Sequence, residues 1–298
     1  NYTGEFTHRL KPSYSNYTIC NSQEQMGIYK EMAAKGWLEF EKLANSSSSV
    51  AYGQMYRLMA DYDPEKYGMQ YGGYGLANTE SSMNQFLQQA EYRNTDWFDE
   101  LFNSNVMMNH SVSISTGTEK ASLYGSVSFM NDPGWVPSAS VQRFTANMNA
   151  QFKLSNKVEL GILTNGSFRK QKSNGALNAE ADPVSGSLNR SFDINPFSYA
   201  LNTSRVLDPK ATYTRNYAPF NIFDELKRNY SDIAATDMKF QADLTWKPVA
   251  GLELKAVGAY RSMRGTNEHF ALNNSNMAEA YRAGVDNPNI MYNNTYLY

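Results

Sequence analysis

Along several stretches of the chain apolar and polar side chains alternate with a period of two, the spacing that sends one set to each face of a β-strand. In residues 141–154, Phe144, Ala146, Met148, Ala150 and Phe152 share one face, and Arg143, Thr145, Asn147, Asn149 and Gln151 share the other. In residues 236–247 the apolar set is Met238, Phe240, Ala242, Leu244 and Trp246, opposite Asp237, Lys239, Gln241, Asp243 and Thr245. Shorter copies fall at 110–116, 121–129, 158–169 and 252–261, and residues 1–7 read as the tail of another, about seven strands in all.

Several of these stretches reach the roughly 9 to 11 residues that a tilted strand needs to cross a bilayer, against about 5 or 6 in a soluble sandwich. The links between them are unequal. Residues 117–120, 155–157 and 248–251 predict tight turns, whereas 9–107, 171–235 and 265–298 are long. Short and long links largely alternate, the pattern of bacterial outer-membrane barrels with short inner turns and long outer loops. The exception is 131–140, a short turn with an Asn-Asp-Pro-Gly core on the long-loop side. Residues 1–298 therefore read as all-β, part of a large antiparallel transmembrane β-barrel whose long extracellular loops contain short helices. In the first loop, residues 22–40 predict a helix, with Ser22 and Gln25 spaced as a capping box, a stripe of Met26, Tyr29, Met32 and Ala33, and Gly36 weakening its end. Residues 81–92 predict a second helix, and 45–50 and 71–75 flexible loop.

Composition changes this picture little. Mean hydropathy is -0.58 and no apolar run approaches a membrane-spanning helix, but a barrel strand is only half apolar and leaves the same average. Tyrosine at 21 and phenylalanine at 15 suit interfacial girdles and wet loops. A net charge of -2 gives no reason to expect nucleic acid as a partner. The one cysteine, Cys20, cannot form an internal disulfide.

No residue constellation points to catalysis or a cofactor. His8, His110 and His269 lack the spacing of zinc ligands, and none is expected to hold metal. Asp61, Asp63 and Glu65 resemble part of a calcium loop, but Pro64 intervenes and the loop glycine is absent, so they read as a solvated acidic turn. Residues 116–120 carry a Gly-Thr-Glu-Lys string that fits a hairpin turn better than a phosphate loop. Trp135 and Trp246, at opposite strand ends, are expected in the interfacial girdles. The substrate-contacting candidates are the loop aromatics Tyr71, Tyr74 and Trp97, because an aromatic face offers a sugar ring apolar contact. Phe144, Met148, Phe152, Met238, Phe240 and Leu244 are expected to face lipid. Arg143, Asn147, Asn149, Arg169, Asp237, Lys239, Gln241 and Asp243 are expected to face the lumen or a plug.

Several segments also resemble a known family. Asn94-Thr-Asp-Trp-Phe-Asp-Glu-Leu-Phe102 followed by Asn109-His-Ser-Val-Ser-Ile-Ser-Thr-Gly-Thr-Glu-Lys120 is similar to the stretch entering the early barrel strands of the SusC/RagA-like TonB-dependent transporters of Bacteroidetes. Arg143-Phe-Thr-Ala-Asn-Met-Asn149, Leu160-Gly161 and Trp246-Lys-Pro-Val-Ala-Gly-Leu252 resemble later strand landmarks. The resemblance implies an active nutrient importer, taking up glycans or peptides with a SusD-like surface lipoprotein. It implies energy from the TonB complex through a plug upstream of residue 1, and a barrel completed by later strands. The competing expectation is a secreted β-rich glycan-binding or adhesion protein, in which the Phe144, Met148, Phe152 and Phe240 face packs against a second sheet.

Overall fold

The computed structural model describes residues 1–43, 50–60, 75–175, 180–181, 188–189, 195–215 and 218–286. In chain order its strands are β1 (Tyr2–Arg9), β2 (Asn105–Gly117), β3 (Ala121–Asp132), β4 (Ser140–Ser155), β5 (Val158–Asn174), the short β6 (Glu180–Ala181), β7 (Leu188–Asn189), β8 (Tyr213–Arg215) and β9 (Ala218–Phe220), then β10 (Asn229–Trp246) and β11 (Leu254–Ala271). Two compact units result, one built on the long strands and one on the segments between them.

The first unit is a seven-stranded sheet in the order β1-β2-β3-β4-β5-β10-β11, and every ladder from β1 to β10 is antiparallel. At one end its strands are joined by short links. The β2–β3 hairpin closes when Thr118 N–H donates to the Ala121 carbonyl at 2.6 Å, and the Thr118 hydroxyl accepts from the Ala121 N–H at 3.1 Å. At the other end the chain departs into the long segments, except between β3 and β4. There Gly134 takes φ +80, and a Cβ at that position would lie 2.1 Å from the Ala139 carbonyl oxygen, so only glycine fits the turn.

The strands run past the limits that alternation predicts. β5 continues from Arg169 to Asn174, β10 begins at Asn229 rather than at residue 236, and β11 ends at Ala271 rather than near residue 261. In Lys170-Gln-Lys-Ser173 both faces are polar, so periodicity vanishes while the backbone stays paired, Gln171 with Ile233 and Asn174 with Tyr230.

The second unit holds η1 (Tyr14–Asn16), α1 (Ser22–Ala34), α2 (Phe40–Leu43), α3 (Ala51–Ala60), α4 (Glu80–Arg93), α5 (Trp97–Leu101), α6 (Pro196–Asn202), α7 (Ile222–Arg228) and α8 (Asn276–Asp286). α1 begins at Ser22 as expected but corrects the expected end and the expected cap. It stops at Ala34, with Gly36 beyond it at φ +71, and its capping box is Asn21 with Glu24 instead of Ser22 with Gln25. Tertiary contacts take the two residues away from capping. The buried Ser22 hydroxyl donates to the Glu91 carbonyl of α4 at 2.6 Å, and the Gln25 side-chain oxygen accepts from the Ser204 hydroxyl at 2.7 Å and the Arg205 N–H at 3.0 Å. Met26 packs with Ala51, Ala90 and Val206, backed by Tyr29, Tyr52 and Leu87. A second cluster centres on Phe98, whose ring lies 4.7 Å from Tyr14 and 5.3 Å from Phe197.

Candidate functional site: the two faces of the sheet

Because paired residues of an antiparallel ladder project to the same side, the register defines rows of neighbouring side chains across the sheet. One row runs His110, Phe129, Phe144, Phe168, Thr236, the next Val112, Val127, Ala146, Gly166, Met238, and the next Ile114, Gly125, Met148, Thr164, Phe240. Phe152 and Leu244 follow two rows on, both paired with Leu160. The six residues expected to face lipid therefore lie on one surface, and the structure adds Val112, Ile114, Leu123, Val127, Phe129 and Phe168 from the shorter alternating segments.

This surface is uncovered among the described residues. Phe144 is 42% exposed, Met148 40%, Phe240 48% and Ile114 64%, on strands laddered to a neighbour on each side. A continuous apolar area of this extent is far beyond the scattered exposed leucines of a soluble monomer.

The eight residues expected on the other side also share a face. Arg143 pairs with Arg169, Asn147 with Asn165, Asn149 with Leu163, and on β10 Asp237, Lys239, Gln241 and Asp243 pair with Ser167, Asn165, Leu163 and Gly161. Side-chain hydrogen bonds run along the rows. Asn165 Nδ2 donates to Asn147 Oδ1 at 2.8 Å, Asn147 Nδ2 donates to the Ser126 hydroxyl at 3.3 Å, and Ser128 bonds Thr145 in the row beside it. Arg261 of β11 forms a bidentate pair with Asp237, at 2.9 and 2.6 Å. Ser126, Asn165 and Arg261 escaped the sequence reading, although the alternation that reveals Asn147 runs through their strands too.

The aromatic candidates separate. Trp97 is only 2% exposed, its indole N–H donates to the Ser204 carbonyl at 3.1 Å and its ring meets Tyr199 edge-on, so it is a core side chain and not a surface for cargo. The helical spacing of Trp97, Phe98 and Leu101 in α5 is the signal for that role. Tyr71 and Tyr74, like Asp61, Asp63 and Glu65, lie outside the described residues. Trp246 ends β10 beside the short-turn end of the sheet and is 47% exposed, while the Trp135 indole donates to the Leu10 carbonyl at the opposite end.

The histidines take structural partners: His110 accepts or donates with the Tyr2 hydroxyl at 2.7 Å, and His8 with the Ser104 hydroxyl at 2.9 Å. Among the described residues no three His, Cys, Asp or Glu side chains converge. The strongest electrostatic perturbations lie in the helical unit. Burial pushes the Tyr14 hydroxyl up to about 12, partly offset by the Arg205 guanidinium 4.3 Å over its ring. Burial also raises Glu225, although Asn229 Nδ2 and the Asn276 N–H both donate to its carboxylate.

No protein-family model matches the chain. Two curated relatives come from Formosa agariphila: TonB-dependent receptor P26, 32% identical over 81 residues, and TonB-dependent receptor P3, 26% identical over 161 residues. These stretches cover 27% and 45% of this chain but 8% and 16% of the relatives. The structure superposes on the RagAB peptide transporter with a TM-score of 0.59 over 92% of this chain, at 13% identity. The chain shares the fold of that stretch of the transporter. The RagAB peptide importer in its closed-closed state gives a TM-score of 0.57, again over 92% of this chain. This chain spans only 30% and 29% of the length of those two chains.

Proposed function

We propose that the chain forms part of the wall of an active outer-membrane importer, which takes up glycans or peptides with a SusD-like surface lipoprotein and draws energy from the TonB complex. The observation that carries this reading is the pairing of the two faces: an uncovered apolar surface across five strands, backed by a hydrogen-bonded polar one. Acyl chains solvate the first, over strands whose backbone groups are paired to neighbours on both sides from β2 to β10, and water or a plug meets the second. The relatives named as TonB-dependent receptors support the energy source, the fold shared with the RagAB peptide transporter supports the import role, and the lipoprotein partner rests on the family resemblance of the sequence. The long segments that leave the sheet at one end are the outer loops in this reading, with room for cargo and a lipoprotein to engage them.

The adhesion reading requires Phe144 and Phe240 to be buried under a second sheet, and among the described residues nothing covers them. The test is to express the complete reading frame in a Bacteroidetes host and fractionate the envelope. The protein should sediment with the outer membrane, need detergent for extraction, and support uptake that stops when TonB is deleted. Recovery in buffer without detergent would sink the proposal.

A further inference from the structure

We propose that the polar face carries a carboxylate-binding site, built around Arg143 and Arg169 and continued by Lys239 and Arg261, that engages anionic cargo. The inference rests on the importer reading and narrows its substrate class to acidic oligomers.

Arg143 and Arg169 are directly paired across β4 and β5. Like charges in that position repel and weaken a sheet unless an anion answers them. None does among the described residues: the Arg143 side chain makes no hydrogen bond or ion pair, and that of Arg169 only donates to the neutral Gln171 side chain at 2.8 Å. Two rows along, Lys239 faces Asn165 and is likewise without a partner. Asp237 is the one carboxylate among them, and both its oxygens are already taken by Arg261. The other acids of this face are distant or engaged. Asp132, one row from Arg143, is held on both oxygens by Arg9, Glu5 is three strands away and accepts from Asn109, and Asp243 and Glu159 lie towards the short-turn end, where Asp243 accepts from Gln241.

Geometry adds a recess to the charge. A depression of about 550 Å³ runs from Arg143 past Asn147 and Asn165 to Lys239, Arg261 and its partner Asp237, with Arg169, paired to Arg143, outside its lining. The guanidinium forks match carboxylates bidentately, and the amide ladder below them offers neutral donors and acceptors for hydroxyl or amide groups. Anionic head groups would dock on the arginines while an uncharged body lies along Asn147 and Asn165.

Calorimetry on the full-length receptor in detergent tests this with triglutamate and trigalacturonate, each beside its uncharged counterpart. The wild type should prefer at least one charged oligomer, and whichever it prefers identifies the source of the carboxylate. Arg143→Gln and Arg169→Gln should each weaken that binding by roughly 10- to 100-fold, the loss of one charge-assisted hydrogen-bonded contact, and leave the neutral oligomer unchanged. Arg143→Lys should retain part of the affinity, which a purely structural arginine would not explain. Equal affinity for charged and neutral oligomers, or an Arg143→Gln protein that binds like wild type, overturns the site. So does a wild type that binds neither while Arg143→Gln lowers its melting temperature, because the arginines would then serve an acidic segment inside the barrel. Fractionation of the same proteins reports on the importer reading separately: membrane localisation with charge-blind binding removes only the carboxylate site.

Discussion

Arg9 and Asp132, 123 positions apart, form a bidentate ion pair across β2, with Nη1 2.8 Å from Oδ1 and Nη2 2.6 Å from Oδ2. The same Oδ1 accepts from the Gly134 N–H at 3.0 Å, so one carboxylate ties the end of β1 to the turn that follows β3. Side-chain exposures of 35% and 13% place the pair partly out of water, where losing one member leaves the other charge and a backbone donor unanswered.

Asp132→Ala should therefore destabilise the sheet by about 1 to 3 kcal/mol, read from the denaturant midpoint of the refolded full-length protein. Asp132→Asn keeps an acceptor for Gly134 and should lose less. Equal midpoints for wild type and Asp132→Ala would show the pair to be energetically idle.

Gly134→Ala puts a methyl group into the Ala139 carbonyl at a backbone angle that L-residues avoid. The cost should exceed the ~1 kcal/mol of an ordinary glycine replacement, with the β3–β4 turn opening first. Hydrogen exchange should report faster exchange at the ends of β3 and β4 than in their centres.

Met148 and Asn147 are sequence neighbours on opposite faces of β4. If Met148 meets mid-bilayer lipid, Met148→Arg should impair assembly by roughly 2 to 4 kcal/mol while Asn147→Arg is tolerated far better. Heat-modifiable migration of the full-length protein in outer-membrane fractions measures both. Variants that assemble equally well would reverse the assignment of faces.

Glu225 gives the helical unit a pH dependence. Its carboxyl is raised above the ordinary 4.5 by burial, so the folded state holds the proton more tightly than the unfolded one. The contribution to stability is then fully present below about 4.5 and lost as pH rises through the raised value. Exchange protection around α7 and the start of α8, corrected for intrinsic rates, should decline over that window. Glu225→Gln should flatten the slope; an unchanged slope would place the dependence elsewhere.

The two residue sets of β4 and β10 are legible from sequence because a strand with one wet and one dry face must alternate, and alternation survives in the bare order of residues. Where both faces are polar, as in Lys170 to Ser173, the contrast disappears and the strand ends go unread. Trp97 misled for a related reason: a tryptophan in a long polar segment looks like a ligand platform until the Ser204 carbonyl, 107 positions away, is found accepting from its indole. Ser22 and Gln25 look like a cap by spacing alone, yet Glu91, Ser204 and Arg205 compete for them.

By itself the sequence determined the strands, the chemistry of each face and the short-turn asymmetry, all of which follow from local periodicity and turn residues. Only tertiary structure decided which strand lies beside which, that β5 pairs with β10, that Arg143 confronts Arg169, and that Arg9 reaches Asp132. Those relationships depend on register between segments distant in the chain, and register is set by collective backbone pairing that no single window of residues contains.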